Sequence, residues 1–557
     1  MEKVLIIGGM AAGCKTAARL KRIKPDFEVK IIEKKSFLSY GTCGMPLYAS
    51  GEVDGFLDLA KTSWGTVRDA DYFKEAKDIE ALTETIVEKI DYANRSAECL
   101  NLKSNEKLTL NFDKLVICTG AKPVQPPFPC PESERISNFH NPLDAKKFRE
   151  LAQTGKVGRV VIIGGGYIGC ELAEALVSLW GIETYIIELQ DRLLPNTLDK
   201  EVSALLEKTL IKNDIKVFPD SHAEKIDIKN DLSLVKLSSG DTIESDYVFL
   251  CPGLKPEVEL AKSIGINIGQ LGGIIVDEQM RTNLPDVWAA GDCVEIKNLI
   301  TGKNAFFPLG SLANRQGRVI AESIAGIGSA FKGAVGANSI KVFGLIIAQA
   351  GLNEASAKKQ KIDYSAVWGT WHDMPDYHPG AKTLFGKLIY EKVTLKLIGL
   401  QLAGMGEVTR YIDVFTALAQ KSGTIKDLLD VEHAYTPPHS SPINPLNFMG
   451  AMALAQECDG VRCLSPLQYD KFSGKVLDVR ELVEIDGETS AGTNYPIAEY
   501  RKHIDEYKKD EPLLIVCEKG PRSYEAAKTF MNNGFKDVCY LGGGIQLANA
   551  ILDEKED

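Results

Sequence analysis

Hydrophobic and polar positions along the chain fall into a recurring unit: a short apolar run, a glycine turn, a helical pattern, and a second apolar run closed by an acid. Val4-Leu5-Ile6-Ile7 leads into Gly8-Gly9-Met10-Ala11-Ala12-Gly13, and Val29-Lys30-Ile31-Ile32 ends at Glu33. The same order returns with Val160-Val161-Ile162-Ile163, Gly164-Gly165-Gly166-Tyr167-Ile168-Gly169, and Tyr185-Ile186-Ile187 ending at Glu188. Continuous apolar runs of this length predict strands buried on both faces of a parallel sheet. Glycines at the strand-to-helix turn leave backbone amides bare, so the helix N-terminus can cradle a pyrophosphate. An acid about 20 residues beyond the last glycine can take ribose hydroxyls. Ala11 stands at the second-glycine position and is small enough for close approach. Two copies, each with its acid, predict two dinucleotide-binding folds in an α/β protein.

Further along, Leu115-Val116-Ile117-Cys118-Thr119-Gly120-Ala121 reads as a strand ending in a tight turn, and Val287-Trp288-Ala289-Ala290-Gly291-Asp292 as a strand delivering a carboxylate. Residues 330–450 alternate apolar segments such as Lys387-Leu388-Ile389-Tyr390 with helical ones, which predicts an α+β domain. From about residue 465 the pattern restarts. Val476-Leu477-Asp478-Val479-Arg480 is a strand with a charged end, and Leu513-Leu514-Ile515-Val516 is a buried strand ending in Cys517. The chain has 557 residues, enough for several domains with separate cores.

Charge and composition narrow the classes. Asp and Glu number 76 against 65 Lys and Arg, a net charge of −11 that argues against a general nucleic-acid binder. No apolar run approaches the roughly 20 residues a membrane helix needs, and Met1-Glu2-Lys3-Val4 leads straight into a strand without a secretory pattern. A cytoplasmic protein without membrane or nucleic-acid partners is expected. Twelve cysteines scattered singly do not form a disulfide scaffold. Cys458 and Cys463 are the one close pair, and without a second pair they do not predict a metal site.

One cysteine stands out. In Ser39-Tyr40-Gly41-Thr42-Cys43-Gly44-Met45-Pro46-Leu47-Tyr48, Cys43 precedes a turn into a helix, where the dipole is expected to lower the thiol pKa. Tyr48 occupies the place of a second cysteine, so a disulfide at Cys43 must form with a ligand or a more distant thiol. Lys15, Arg19 and Arg22 share one face of the first helix by their i, i+4, i+7 spacing, either as an anion site or as a solvated face.

With these motifs in this order, the chain resembles the two-dinucleotide FAD/NAD(P)H disulfide reductases, in particular coenzyme A-disulfide reductase and its NADH oxidase relatives. The resemblance implies an FAD domain at 1–148 and 246–325 interrupted by an NAD(P)H domain at 149–245, then a dimerisation domain at 326–450 and a linker at 451–464. It implies that Gly8, Gly9, Ala11, Ala12, Gly13, Glu33, Lys34, Thr119, Gly120, Ala121, Gly291, Asp292, Pro308, Leu309 and Gly310 hold FAD. The nicotinamide cofactor falls to Gly164, Gly166, Tyr167, Ile168, Gly169 and Glu188; Glu188 favours NADH, with Arg192 leaving NADPH as the alternative. Coenzyme A is implied on Lys15, Arg19, Arg22, Ser39 and Thr42, although Thr42 replaces the usual Asn and Met45 the usual Leu. Tyr377 in Met374-Pro375-Asp376-Tyr377-His378-Pro379-Gly380 and Tyr435 in Tyr435-Thr436-Pro437-Pro438 resemble tyrosines that reach the active site of the other subunit in a homodimer; a packing role for Tyr435 stays open.

The segment Cys517-Glu518-Lys519-Gly520-Pro521-Arg522 feeding a helix resembles the active loop of a rhodanese domain, expected over 465–557. Backbone amides around Cys517, with Lys519 and Arg522, would stabilise a thiolate or persulfide. Gly487-Glu488-Thr489-Ser490-Ala491-Gly492-Thr493-Asn494 departs from the usual rhodanese segment, which leaves an inactive shell as the alternative. Together these readings imply an FAD-dependent NAD(P)H reductase of coenzyme A disulfide, coenzyme A persulfide or polysulfide, coupled to a sulfurtransferase site, with catalytic residues Cys43, Tyr435, Tyr377, Cys517 and Arg522. The alternatives are an NADH oxidase or peroxidase cycling Cys43 through a sulfenate, and a sulfur-carrier module on an inactive flavoprotein scaffold.

Overall fold

The computed structural model describes residues 1–485 and 490–552. It divides into two compact units, 1–189 with 221–334, and 190–220 with 335–557.

In the first unit a five-stranded, all-parallel sheet runs in the order Val287–Ala289, Lys114–Ile117, Lys3–Ile7, Glu28–Ile32, Glu80–Leu82. Its centre is apolar on both faces, with Ile6, Ile31, Leu115, Val116 and Ile117 fully buried, as the continuous runs predict. A second parallel arrangement is built around Arg159–Ile163, which pairs with Glu183–Ile187 on one side and Tyr247–Leu250 on the other. Each has a three-stranded antiparallel meander beside it in sequence, Thr85–Asp91 to Lys107–Asn111 and Ala223–Lys229 to Thr242–Ser245. Helix Ala11–Ile23 packs on helix Gly310–Ile324 through small residues. A Cβ on Gly317 would stand 2.4 Å from the Ala12 carbonyl, and Thr16 Oγ1 donates to the Gly317 carbonyl at 3.1 Å.

The second unit holds two sheets. One is antiparallel, in the order Asn338–Val342, Leu345–Gly351, Leu397–Gly404, Thr383–Glu391, Tyr364–His372. The other is parallel, in the order Arg462–Leu464, Val538–Leu541, Leu513–Val516, Lys475–Asp478, Thr493–Asn494. At the heart of this unit Lys387 is 1 % exposed and meets Asp199 at 3.2 Å, Glu201 at 3.0 Å and Glu354 at 3.1 Å. Burial alone would lower the ammonium pKa, but Glu201, Asp199 and Glu354 together hold it above its ordinary value. Trp368 Nε1 and Ser465 Oγ donate to the same Glu201 oxygen at 2.9 and 3.2 Å.

The stretch expected as a linker, 451–464, carries regular structure. Asn444 caps a helix with Pro445 in its first turn, and that helix runs Pro445–Asp459 before Gly460, at φ 70°, ends it. Arg462–Leu464 then forms the edge strand of the parallel sheet. Cys463 is buried in that strand while Cys458 is exposed on the helix, so the two do not form a site. Of the departure segment Gly487–Asn494, residues 487–489 lie outside the described residues. No helix among the described residues is long and apolar enough to cross a membrane.

Candidate active sites

The two glycine turns are built alike. Gly8 has φ 109° and Gly164 φ 112°, the left-handed region that glycine adopts freely. A Cβ would lie 2.1 Å from the Cys118 carbonyl at Gly8 and 2.2 Å from the Cys251 carbonyl at Gly164. One turn on, a Cβ on Gly13 would strike the Gly8 carbonyl at 1.8 Å, and one on Gly169 the Gly164 carbonyl at 2.1 Å. These glycines hold helix against strand, whereas Gly166 opens onto free space. The acids close the turns: Glu33 Oε2 accepts from the Gly9 N–H and Glu188 Oε2 from the Gly165 N–H, both at 2.7 Å.

The fit to dinucleotides rests on what these turns leave available. Helices Ala11–Ile23, Tyr167–Trp180 and Gly310–Ile324 all begin without a side-chain cap, the kind of helix N-terminus that can receive an anion. Ala12 is buried beside Gly291, and Ile168 follows Tyr167 in the first turn of the second helix. Asp292 makes no hydrogen bond or ion pair among the described residues, and burial pushes its carboxyl up to about 6. A desolvated carboxylate without a partner suits a ribityl hydroxyl. Thr119 Oγ1 is turned to the Glu257 carbonyl at 2.6 Å, next to Gly120 and the strand Ala121–Pro123. Pro308 and Leu309 lead into the uncapped end at Gly310, and Lys34 is exposed beside Glu33. Arg192 bonds Asp191 and the Pro195 and Leu198 carbonyls, so its charge is already engaged.

Cys43 sits in the short turn Thr42–Gly44 before the six-residue helix Met45–Ser50. It is exposed, as is Thr42, while Ser39 is half-buried at φ 49°. Tyr48 is buried in an aromatic cage, its ring 5.4 Å from Phe56 and 4.5 Å from the Arg149 guanidinium. The expected lowering of the thiol pKa is not found. The thiol is pushed up, by desolvation first and then by Glu171 and Asp292, because a helix this short has little dipole to set against two carboxylates. Burial, with Glu174 beside it, pushes Glu171 itself up to about 7. Sequence reasoning passed over Glu171, although an acid one turn after Tyr167 on a largely apolar helix was a signal.

The basic stripe is interrupted. Arg19 bonds Glu322 at 2.9 Å, and Glu322 also takes Arg318 at 3.0 Å. Arg22 is exposed and bonds the Ala18 carbonyl, and Lys15 makes no ion pair among the described residues. In the second unit the two tyrosines singled out by sequence come together. Tyr377 is 74 % and Tyr435 47 % exposed, and the Tyr435 hydroxyl is pushed up by desolvation and then by Tyr377.

Cys517 lies at the end of strand Leu513–Val516, buried in a loop that opens helix Pro521–Asn532. Its sulfur accepts the Gly520 N–H at 3.1 Å and the Ser523 N–H at 3.3 Å, and its S–H donates to Ser523 Oγ at 3.4 Å. This is an N–H nest of the kind that holds extra negative charge on sulfur. The Arg522 guanidinium makes a two-pronged bond with Glu484 at 2.5 and 2.6 Å.

The comparisons agree with this plan. The model of the family described as pyridine nucleotide-disulphide oxidoreductase matches residues 2–310, that of its dimerisation domain 338–445, and that of the rhodanese-like domain 468–550. A solved NAD-dependent persulfide reductase from A. fulgidus superposes with a TM-score of 0.92 at 36 % identity, covering 98 % of this chain and 99 % of that one. An NAD(P)H sulfur oxidoreductase (CoA-dependent) of Pyrococcus abyssi is 32 % identical over 80 % of this chain and 96 % of its own. An NADH oxidase of Methanocaldococcus jannaschii is 30 % identical over 81 % of this chain and 98 % of its own. The chain therefore belongs to the pyridine nucleotide-disulphide oxidoreductases, FAD- and NAD(P)H-dependent enzymes, and carries their dimerisation domain and a rhodanese-like domain.

Proposed function

We propose that this protein uses NAD(P)H to reduce coenzyme A disulfide, coenzyme A persulfide or polysulfide at Cys43, and handles sulfane sulfur at Cys517. The observation that carries the reading is the pairing, on one chain, of two acid-closed glycine cradles beside an exposed lone cysteine with a second cysteine seated in an N–H nest. Bound at the first cradle, FAD supplies two-electron transfer from the nicotinamide cofactor held at the second.

The residues of the chain do the rest. Gly8, Gly9, Ala11, Ala12 and Gly13 would hold the first pyrophosphate, with Glu33 at a ribose and Asp292 at the ribityl chain; Gly164, Gly166, Tyr167, Ile168, Gly169 and Glu188 would serve the nicotinamide cofactor, with NADH favoured because a carboxylate repels a 2′-phosphate. The Cys43 thiolate attacks a sulfur of the disulfide, joins one half as a mixed disulfide and releases the other as thiolate. With a persulfide, attack on the inner sulfur releases hydrosulfide. Two electrons then cleave the mixed disulfide, returning Cys43 and freeing the second thiol. Glu171, whose charge bears on the Cys43 thiol and whose own carboxyl is pushed up to about 7, would be the group to take that thiol's proton and return it. Lys15, Arg22, Ser39 and Thr42 line the approach for a coenzyme A nucleotide and its arm. The chain works as a homodimer through its dimerisation domain, and offers the Tyr377–Tyr435 pair to the second subunit's site.

A second reading, NADH oxidase, is favoured by the likeness to the Methanocaldococcus jannaschii protein. Anaerobic assays separate the two. Coenzyme A disulfide or persulfide should drive NADH consumption without oxygen, and Cys43→Ser should abolish it while FAD absorbance persists. NADH consumption that needs oxygen and ignores both sulfur substrates would overturn the reductase reading. Cys517→Ala should spare coenzyme A disulfide reduction and remove sulfur transfer to cyanide.

A further inference from the structure

The rim of the Cys517 nest carries three basic residues, and each is already met by a carboxylate. Arg522 is clamped two-pronged by Glu484, with Glu481 also facing it. Lys519 lies 3.3 Å from Asp376, which also takes the His372 ring nitrogen at 2.6 Å. Arg480, 2 % exposed, is held by Asp478 at 3.0 Å and faces Glu518 at 3.6 Å. Five carboxylates thus surround three cations. The guanidinium fork of Arg522, the geometry that would otherwise clamp a sulfonate, is spent on Glu484.

We propose that Glu484 and Asp376 are specificity-determining residues that tune Cys517 to accept sulfur from persulfides, whose sulfur end bears at most one negative charge, in preference to thiosulfate. The inference rests on Cys517 being the sulfur-accepting cysteine. In the favoured transfer the Cys517 thiolate attacks the outer sulfur of R–S–SH. A new S–S bond forms, the old one breaks, and R–S⁻ leaves with the bonding electrons, giving a Cys517 persulfide. Thiosulfate would transfer its outer sulfur in the same way but release sulfite, so a dianion must enter and a dianion must leave. With Arg522 and Lys519 neutralised, no unpaired cation on the named rim meets that charge, whereas the backbone nest suffices for a donor whose sulfur end is neutral or singly charged. Asp376 is notable because it comes from the antiparallel-sheet region, 143 residues before Lys519. The neighbouring fold thereby sets the charge of the sulfur pocket.

The test is sulfur transfer to cyanide by the full chain, with glutathione persulfide or thiosulfate as donor and thiocyanate as the readout. The wild-type protein should show the higher kcat/KM with the persulfide. Glu484→Gln and Asp376→Asn should each raise kcat/KM for thiosulfate by about tenfold, chiefly through KM, with persulfide transfer little changed. A wild-type preference for thiosulfate, or a donor ratio unmoved in Asp376→Asn, overturns the proposal. Asp376 is largely exposed, so its variant should keep the fold if Glu484→Gln does not. Transfer that survives in Cys517→Ala would instead overturn the reading of Cys517 itself.

Discussion

Cys43 and Cys517 reach sulfur chemistry from opposite starting points. Cys43 is exposed in the turn before a six-residue helix, and desolvation together with Glu171 and Asp292 pushes its thiol up. Cys517 is buried, and two backbone N–H groups point at its sulfur from a loop that opens a helix of twelve residues. The polypeptide alone prepares the second site, whereas the first depends on what is bound beside it. A cysteine that must alternate between thiol and mixed disulfide is served by a movable proton, the role proposed above for Glu171, whose carboxyl burial pushes up to about 7. A cysteine that must store sulfane sulfur is served by fixed dipoles that bear charge without moving.

That contrast can be broken most severely by removing FAD. The stripped protein should lose NAD(P)H-dependent reduction completely and regain it on adding FAD, while thiocyanate formation at Cys517 continues unchanged. A parallel loss at both cysteines would end the distinction. Ser523→Ala should act in the other direction. It removes the acceptor of the Cys517 S–H and the hydroxyl that donates to the Gly520 carbonyl at 2.7 Å, so sulfur transfer should fall about fivefold, as for one hydrogen bond of roughly 1 kcal/mol. Reduction of coenzyme A disulfide should not change. The smallest effect is expected from Glu171→Gln. A nearby negative charge raises the Cys43 thiol pKa, so deleting it lowers that pKa, and the pH profile of Cys43 alkylation should move to lower pH. A profile that stays in place or moves to higher pH would remove Glu171 from the account.

What could be read from the chain before folding was local. Both glycine cradles, their closing acids and the Cys517 loop each occupy a few consecutive residues whose backbone geometry leaves a direct mark on residue type. Pairings across long separations left no such mark. Glu322 neutralises Arg19 from 303 residues away, and Asp376 meets Lys519 from 143 residues before it, so one cation of the stripe and one of the rim have partners that the local sequence does not show. The Cys43 thiol showed the same gap, since Glu171 and Asp292 arrive from distant strands and helices. The stretch 451–464 left little trace of its helix for another reason. Its helix has no strongly apolar face, so periodicity was weak, and only the Asn444-Pro445 start and the Gly460 stop gave it away.

The buried Lys387 also sets an order of events during synthesis. Glu201 leaves the ribosome 186 residues before the Lys387 ammonium that it shares with Asp199, and the Ser465 hydroxyl that completes Glu201 follows later still. At about 5–20 residues per second, the carboxylates wait on the order of ten to forty seconds for their cation. During that interval helix Lys200–Lys212 exposes the surface that later receives Lys387 and cannot adopt its final packing. The second compact unit is thus completed only once residues near the start of its parallel sheet have emerged.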